Sequence, residues 1–420
     1  MNCVRTAVSA DAEAVATVTQ EAFGGSHGEW VAQACRATPG EWRVLEHAGR
    51  IVSICRVQIH GIRVGRCEIN KGDVGHVSTL PEFQGRGFGS ELMRDTVAYL
   101  KEAHCQIGRL GGLIAFYSRF GWVPFPRRYY EFPLEAVRGG VQTLQPDEYL
   151  QPPKGFRGRI VPYDPARHHD GRVRLHEALN RTRSGSIVIA WGPAPSGGKA
   201  DPDTTGLRLA CEIEGEVAGY VFAFERPADH TAFEAQVEIG ETAFDYEHPE
   251  ALGALIAQVL RVAHERGAKR ATGRLPFDER VESALRAAGV PYHLVEIHTA
   301  PASNMIRIVD LLALLKRIAP ELEARLAASA VAEWRGQIAF CLDDGQSAVV
   351  EARGGSMSVW DCTSGEFRVD LDQATMLKLV LGLRSFGECA VVKGDGDGRF
   401  AADACNVLFP RQAAACGVWG

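Results

Sequence analysis

The residues with the clearest chemical potential lie in a glycine-rich loop between a predicted strand and a predicted helix. The strand covers residues 74–80, the loop contains Gly85, Gly87 and Gly89, and the helix runs to about residue 104. Glycines let the backbone pass close to a bulky anion, and the first N–H groups of the helix then point at that anion, with the positive end of the helix dipole behind them. The segment therefore predicts a cradle for a pyrophosphate group.

Two common phosphate-binding motifs do not fit this loop. A P-loop needs a Lys-Ser or Lys-Thr pair after its glycines, and no such pair follows Gly89. The dinucleotide-binding fingerprint has a different glycine spacing and lies in a βαβ unit, and no such unit opens this chain. The predicted cradle therefore belongs to another class.

A second segment of interest, residues 114–122, combines aromatic residues with a glycine. It is predicted to be a short helix that ends at Gly121, and it lies between predicted strands at residues 106–110 and from residue 123 onward. Together with the cradle, it resembles the signature of the GNAT (Gcn5-related) N-acetyltransferases. The cradle has the spacing Gln84-x-x-Gly87-x-Gly89, and the second segment has the order aromatic-Tyr-x-x-x-Gly-aromatic, with its tyrosine at Tyr117.

The GNAT resemblance implies an enzyme that uses acetyl-CoA as co-substrate and needs no metal. It implies cofactor contacts from Val77, Ser78, Thr79, Gln84, Gly85, Arg86, Gly87, Phe88, Gly89, Ser90, Gly112 and Leu113. Residues 77–79 would bind the thioester oxygen through backbone N–H groups of a strand that diverges from its neighbour. Tyr117, with a hydroxyl pKa ordinarily near ~10, would protonate the departing thiolate. A tyrosine packed under a helix is the alternative.

The chain is longer than one acetyltransferase unit, and three domains are expected. We expect a catalytic GNAT domain at residues 1–145, a degenerate GNAT-like domain at 146–301 and a C-terminal domain at 302–420 that resembles sterol-carrier protein 2. The fold class is therefore α/β, in the α+β sense, with tandem GNAT folds. In the second domain, residues 244–250 are acidic and free of glycine, so this copy is expected to be structural. Predicted elements further along include a strand at 186–191 and a helix at 305–326.

This domain order resembles the bacterial Eis (enhanced intracellular survival) acetyltransferases over essentially the full length. The resemblance implies a broad acceptor pocket, a homohexamer and a base supplied by the chain-terminal carboxylate, here that of Gly420. Two features depart from the family: Gln84-Gly85 stands where arginines are favoured, and the chain ends in glycine and not in an aromatic residue. The expected acceptor is a primary amine, on a small polyamine-like or aminoglycoside-like molecule or on a lysine side chain, which attacks directly without an acyl-enzyme.

Composition excludes several other classes of protein. The chain has 420 residues, 46% of them hydrophobic and 23% charged, as in ordinary globular proteins. A net charge of −6 argues against binding nucleic acid by bulk electrostatics. No apolar run approaches the ~18 residues of a membrane span, and no signal peptide is expected. The 11 cysteines form no CxxC pair, which favours a reducing cytoplasm.

Some candidate residues and functions stay open at this level. Glu68 and Asp73 could attract a cationic substrate, or could serve solubility alone. His168-His169-Asp170 lacks a third ligand at fixed spacing, so no metal site is expected there. The alternative functions are a non-catalytic protein that binds a lipid or acyl ligand in residues 302–420, and a tandem-GNAT transferase of a larger acyl or aminoacyl group.

Overall fold

A computed structural model describes residues 2–24, 28–139, 142–192, 206–226, 235–298, 302–394 and 398–415. They form an α+β protein with two seven-stranded sheets and one five-stranded sheet. The first part of the chain contains β1 (Asn2–Thr6), α1 (Ala12–Phe23), α2 (Gly28–Ala37), β2 (Trp42–His47), β3 (Arg50–Val64), β4 (Cys67–Thr79), α3 (Phe88–Glu102), β5 (Ile107–Leu113), α4 (Ile114–Tyr117), β6 (Val123–Pro124) and β7 (Arg127–Phe132).

The rest of the chain also contains both strands and helices. Its middle part contains β8 (Val137–Gly139), β9 (Gln142–Leu144), α5 (Pro146–Tyr149), β10 (Arg159–Pro162), α6 (Pro165–Asn180), β11 (Arg208–Ile213), β12 (Glu216–Arg226), β13 (Gln236–Phe244), α7 (Glu250–Glu265), β14 (Arg270–Gly273), α8 (Glu279–Ala287) and β15 (His293–Ile297). Its last part contains β16 (Ala302–Ile308), α9 (Leu311–Ala327), β17 (Gly336–Leu342), β18 (Ser347–Arg353), β19 (Ser356–Trp360), β20 (Phe367–Leu371), α10 (Gln373–Val380), α11 (Phe386–Cys389), β21 (Lys393–Gly394) and α12 (Gly398–Leu408).

The two large sheets repeat one topology and exchange a strand. The first has the order β1-β2-β3-β4-β5-β16-β6, and the second β10-β11-β12-β13-β14-β7-β15. In each, an antiparallel meander is followed by one parallel pair, β4 with β5 and β13 with β14. The duplicated fold expected from the sequence is thus confirmed. Because β16 and β7 each complete the other unit's sheet, the sheets cross the predicted limits at 145/146 and 301/302.

The predicted helix at residues 305–326 is wrong at its start. Residues 302–308 form β16, and the helix begins only at Leu311, after Asp310 caps it by accepting a hydrogen bond from the Ala313 N–H at 2.8 Å. Met305, Ile306 and Ile308 are fully buried in the sheet. A short apolar run of this kind fits a buried strand as well as a helix, because both faces are covered.

The predicted strand at residues 186–191 is also wrong. This segment is irregular, and its one ladder contact is an isolated bridge between Ile187 and Ile62 of β3. Backbone hydrogen bonds from Arg63 N–H to Ser186 O at 2.9 Å and from Val188 N–H to Gly61 O at 2.8 Å hold it against the first unit. The segment therefore joins the two GNAT-like units.

The C-terminal unit packs on the first unit through a continuous apolar core. This core contains Ile62 and Ile69 of the β3–β4 hairpin, Leu315 of α9 and Phe340 of β17, all buried. Among the described helices, none has the length and apolar character needed to cross a membrane.

Candidate active site

The site begins where two parallel strands part. β4 and β5 pair over only four positions, from Lys71 with Ile107 to Val74 with Leu110. Beyond them β4 runs on to Thr79 along β3, while β5 runs on to Leu113 along β16. The facing edges of residues 75–79 and 111–113 are therefore not paired with each other, and a wedge opens between the strands.

A bulge in β4 lies at the start of this wedge. The register with β3 shifts between Ile54 and Arg56, so that His76 and Val77 together oppose Cys55. His76 has a φ of +50°, a conformation that non-glycine residues rarely adopt. Its ring packs on Trp30 and Trp42, with ring centroids 5.4 and 5.6 Å away. The bulge changes the direction of the β4 backbone next to the wedge.

The predicted cradle follows at the end of β4. Gly85 and Gly87 have φ values of +76° and +91°, and a Cβ atom at either position would meet open space within 4 Å. Gly87 is the N-cap of α3 and no side chain caps the helix there, so its first N–H groups are available to a ligand. The Gln84 side chain donates to Thr79 O at 3.1 Å and ties the loop to the strand. These features fit a pyrophosphate, which a side chain at Gly87 would obstruct.

One cavity of about 510 Å³ joins the wedge, the cradle and α4. Its lining includes most of the residues that the sequence predicts for the cofactor: Val77, Thr79, Gln84, Gly85, Gly87, Phe88, Gly89, Ser90 and Leu113. Ser78, Arg86 and Gly112 are neighbours of lining residues in the chain but do not line the cavity themselves. The lining also contains Phe83, Phe116 and Arg119, which sequence reasoning missed although all three lie in or next to the two motifs.

Tyr117 lies in the wall of this cavity. Its side chain is buried, and burial raises the pKa of its hydroxyl to about 12. The ring packs against Gly112, where a Cβ would come within 2.4 Å of it, and edge-on against Phe116 at 4.9 Å. Within the described part of the chain, the hydroxyl makes no hydrogen bond. The phenol thus stays protonated at neutral pH and is available to a ligand.

The carboxylate of Asp73 meets two basic groups through one oxygen, while its buried Oδ1 atom has no hydrogen-bond partner among the described residues. Its Oδ2 atom lies 3.0 Å from the ammonium of Lys71, a side chain that is 1% exposed, and 3.6 Å from His60 Nε2. Burial lowers the pKa of the Lys71 ammonium, while the Asp73 charge opposes that shift. Lys71 therefore offsets the charge of Asp73.

The chain terminus can be followed only in part. Gly420 lies outside the described residues. Upstream of it, the Ala415 N–H donates to Ser184 O and the Arg183 guanidinium donates to Ala413 O, both at 2.8 Å. Ala414 is buried. The apolar tail is thus packed against the second unit up to Ala415.

The second unit has its own cavity at the corresponding place. About 590 Å³ in volume, it is lined by Phe244 at the end of β13, Glu250 in the first turn of α7, and Arg280 of α8 among others. Its lining contains no glycine. A carboxylate at the helix N-terminus repels phosphate, which agrees with the expected structural role of this copy.

The described residues contain no group of three potential metal ligands. His168 is buried and packs against Glu212, with Nε2 and Oε1 3.1 Å apart, while its Nδ1 accepts a hydrogen bond from the Asp164 N–H. Its surroundings are those of a structural histidine.

Comparison with known proteins places the first unit in a family and the whole chain in a fold. Residues 3–125 match the acetyltransferase (GNAT) domain family. No curated protein matches the chain in sequence. The solved structures similar to it include GCN5-related N-acetyltransferases from Anabaena variabilis (TM-score 0.65, 12% identity, 99% of this chain and 98% of that one) and Kribbella flavida (TM-score 0.64, 15% identity, 99% and 97%), and Eis1 from Mycobacterium abscessus (TM-score 0.55, 14% identity, 99% of both).

At these identities the likeness shows the fold, and the expected α+β fold class is confirmed over the full length of the chain. The match to the GNAT domain family covers β1 to β6 and therefore includes the wedge, the cradle and Tyr117. The first unit of this chain is an acetyltransferase domain of the GNAT superfamily.

Proposed function

We propose that the chain is an N-acetyltransferase that moves the acetyl group of acetyl-CoA to a primary amine, with both substrates bound together. The observation that carries the proposal is that one cavity joins an open strand wedge, an uncapped helix N-terminus behind glycines, and a buried tyrosine. Acetyl-CoA supplies the activated thioester. The chain supplies binding, orientation and proton transfer.

The cradle binds the pyrophosphate through backbone N–H groups of residues 85–90. Gly85 and Gly87 keep the approach free of side chains. The N-terminal end of α3 adds the positive end of its dipole. Arg86 lies over the Phe83 ring at 5.1 Å, so its charge stays beside the entrance. The pantetheine arm would then run along the wedge past Gly112 and Leu113.

The wedge provides hydrogen-bond donors where negative charge develops. Successive N–H groups of a strand point to opposite edges, and β3 covers one edge of residues 77–79. The N–H groups on the other edge face a strand that has turned away, so they can bind the thioester oxygen without first losing a sheet partner. Ser53 Oγ donates to Ser78 O at 2.9 Å, which holds this backbone in place.

Tyr117 is the proposed acid for the leaving thiolate. Burial raises the pKa of its hydroxyl to about 12, which makes it a weaker acid than a tyrosine in water. The same low-dielectric surroundings raise the basicity of a thiolate formed beside it, because desolvation disfavours both anions. The proton transfer is therefore better matched than solution values suggest.

The terminal carboxylate of Gly420 is the proposed base. With an ordinary pKa near ~3.5, it would act by orienting the ammonium and by accepting its proton through water. The amine then attacks directly, with no acyl-enzyme. The Eis type and a division into three domains, with limits at 145/146 and 301/302, are part of the same proposal, which the shared full-length fold with Eis1 supports. A homohexamer and a cytoplasmic location are proposed with them.

A panel of amines with acetyl-CoA tests the proposal, read by release of the free thiol and by mass spectrometry of the acceptor. The panel contains a polyamine, an aminoglycoside, a lysine peptide and simple alkylamines. Acetylation of at least one amine above the rate of hydrolysis is expected. Binding of acetyl-CoA without transfer to any amine would contradict the function, and would favour a larger acyl donor or a ligand-binding role.

A further inference from the structure

A cluster of charges lies at the closed end of the wedge. Asp73 and Arg109 are cross-strand partners one position before β4 and β5 part. Leu113, which lines the cofactor cavity, is four residues beyond Arg109 on the same strand and therefore on the same face, about 13 Å away along β5. An acceptor that occupies this interval has its amine near the thioester and its other end near Arg109.

Positive charge predominates in this cluster. Asp73 is paired with Lys71 at 3.0 Å. Across the interface between the two units, Glu238 of β13 is paired with Arg226 at 3.0 Å and with Arg274. Burial, and after it the positive charge of Arg274, lower the pKa values of Lys71 and Arg109. Among the described residues of this cluster, five are cations and two are carboxylates: Lys71, Arg109, Arg127, Arg226 and Arg274, with Asp73 and Glu238. His60 also faces Asp73.

Arg109 and Asn304 offer hydrogen-bond donors that no described residue uses. Arg109 Nε donates to Asn304 Oδ1 at 2.8 Å, while its two terminal nitrogens have no partner and no acidic group within ion-pair distance among the described residues. The Asn304 side chain is 8% exposed, and its buried Nδ2 has no hydrogen-bond partner. A buried donor without a partner has lost its hydrogen bonds to water, so a ligand that accepts from it restores a lost interaction.

The side chain of Arg109 is half-buried. Burial lowers the pKa of its guanidinium, yet part of the side chain remains exposed to solvent. A planar guanidinium beside an amide N–H₂ presents parallel donors that match the two oxygens of a carboxylate.

We propose that Arg109 and Asn304 bind a carboxylate of the acceptor, so that the preferred substrate is a primary amine with a carboxylate several carbons from the nitrogen. This inference rests on the proposed N-acetyltransferase function. It assigns to Arg109 the role of selecting the acceptor by its far end, while the thioester end of the wedge receives the amine. A dication such as a polyamine would bring like charge to the cluster.

Three amines of equal chain length test the proposal: 6-aminohexanoate, hexylamine and 1,6-diaminohexane, assayed with acetyl-CoA on the full chain. We expect kcat/KM to be about ten- to hundredfold higher for 6-aminohexanoate than for hexylamine, the effect of one or two hydrogen bonds between charged groups, and lowest for the diamine. Equal values, or a preference for the diamine, would overturn the inference and leave the acetyltransferase function standing. No turnover of any amine on the wider panel would overturn both.

Substitutions then locate the effect. In Arg109→Met, the ratio of kcat/KM for 6-aminohexanoate over hexylamine should fall to near 1, mainly through KM for the amino acid. Arg286→Met, on the exposed face of α8, is the matched control and should keep the full ratio. Arg109→Lys keeps the positive charge but loses the planar guanidinium with its parallel N–H donors, and it should retain part of the preference for 6-aminohexanoate. A ratio that survives in Arg109→Met, with acetyl-CoA binding intact by calorimetry, would overturn the assignment.

Discussion

Val74 and Leu110 form the last pair between β4 and β5, and on its other side Leu110 pairs with Met305 of β16. Beyond this point β16 remains paired with β5, through Gly111 with Asn304 and Gly112 with Ser303, and β3 remains paired with β4. The wedge is therefore rigid on both sides. β16, which directly follows the second unit in the chain, fixes one wall of the candidate active site of the first unit and contributes Asn304 to its closed end.

Replacement of Gly87 tests the cradle. Gly87→Glu should abolish acetyl-CoA binding, because a side chain and a negative charge would occupy the path of the phosphates. Gly267→Glu is the matched control, since Gly267 also has a positive φ, of 73°, and open space around it. Both variants carry a backbone cost of about 1–2 kcal/mol. Calorimetry should detect binding in the control alone.

Equal affinities of the two glycine variants for acetyl-CoA would show that the loop is not the binding site. The same titration of the unmodified protein should give one acetyl-CoA per chain, because Glu250 stands at the helix N-terminus of the second unit. Two per chain would mean that the second cavity has kept the function.

Substitution of Tyr117 tests the proposed acid. Tyr117→Phe keeps the ring that packs on Gly112 and removes the proton, so kcat should fall by ~10²–10⁴ with little change in acetyl-CoA affinity. Tyr99→Phe, in α3 and outside the cavity, should leave kcat unchanged. A fully active Tyr117→Phe enzyme would leave this tyrosine a packing role only.

The pH dependence of kcat should carry the same signature. Burial raises the pKa of Tyr117 to about 12, so its acid form persists from neutral pH up to that value and is lost only above it. A general acid with this pKa gives no falling limb between pH 7 and about 11, and activity should rise with pH as the acceptor amine loses its proton. A falling limb near pH 9 that is absent in Tyr117→Phe would contradict the burial-raised pKa.

The chain terminus can be tested without disturbing the packing up to Ala415. A short tag after Gly420, or its amidation, displaces or removes the carboxylate and should lower kcat strongly, with normal acetyl-CoA binding and an unchanged melting temperature. The same tag at the N-terminus is the control. Full activity of the C-terminally tagged protein would refute the proposed base.

Arg183 joins the tail to the second unit, and its loss should destabilise the protein. Its guanidinium is 2.6 Å from the Asp278 carboxylate, with side chains 9% and 13% exposed, and it also donates to Ala413 O. Arg183→Ala removes the ion-pair partner of Asp278, which among the described residues keeps only the hydrogen bond from the Arg280 N–H, so we expect a loss of about 1.5–3 kcal/mol, as for a hydrogen bond between charged groups. Thermal unfolding should show a clearly lower Tm, whereas Arg286→Ala, which breaks an exposed ion pair with Glu279, should change it little.

The sequence alone determined the parts of the site that depend on neighbours in the chain. Gly85 and Gly87 adopt positive φ because the turn into α3 is made within a few residues, and Tyr117 reaches the same cavity because its helix follows β5 directly. Such local geometry leaves a readable pattern of glycines and aromatic residues. The same pattern indicated the acetyltransferase class.

Only the tertiary structure decided what surrounds this pattern. The exchange of β7 and β16 between sheets and the hydrogen bond from Arg109 to Asn304 join residues far apart in the chain. Neither a strand nor a polar side chain carries any sign of a partner so distant, because sheet pairing and the burial of polar groups depend on the final packing and not on local spacing. Asp73 suggested attraction for a cation in the sequence, whereas in the folded chain its Oδ2 atom lies 3.0 Å from the Lys71 ammonium and 3.6 Å from His60.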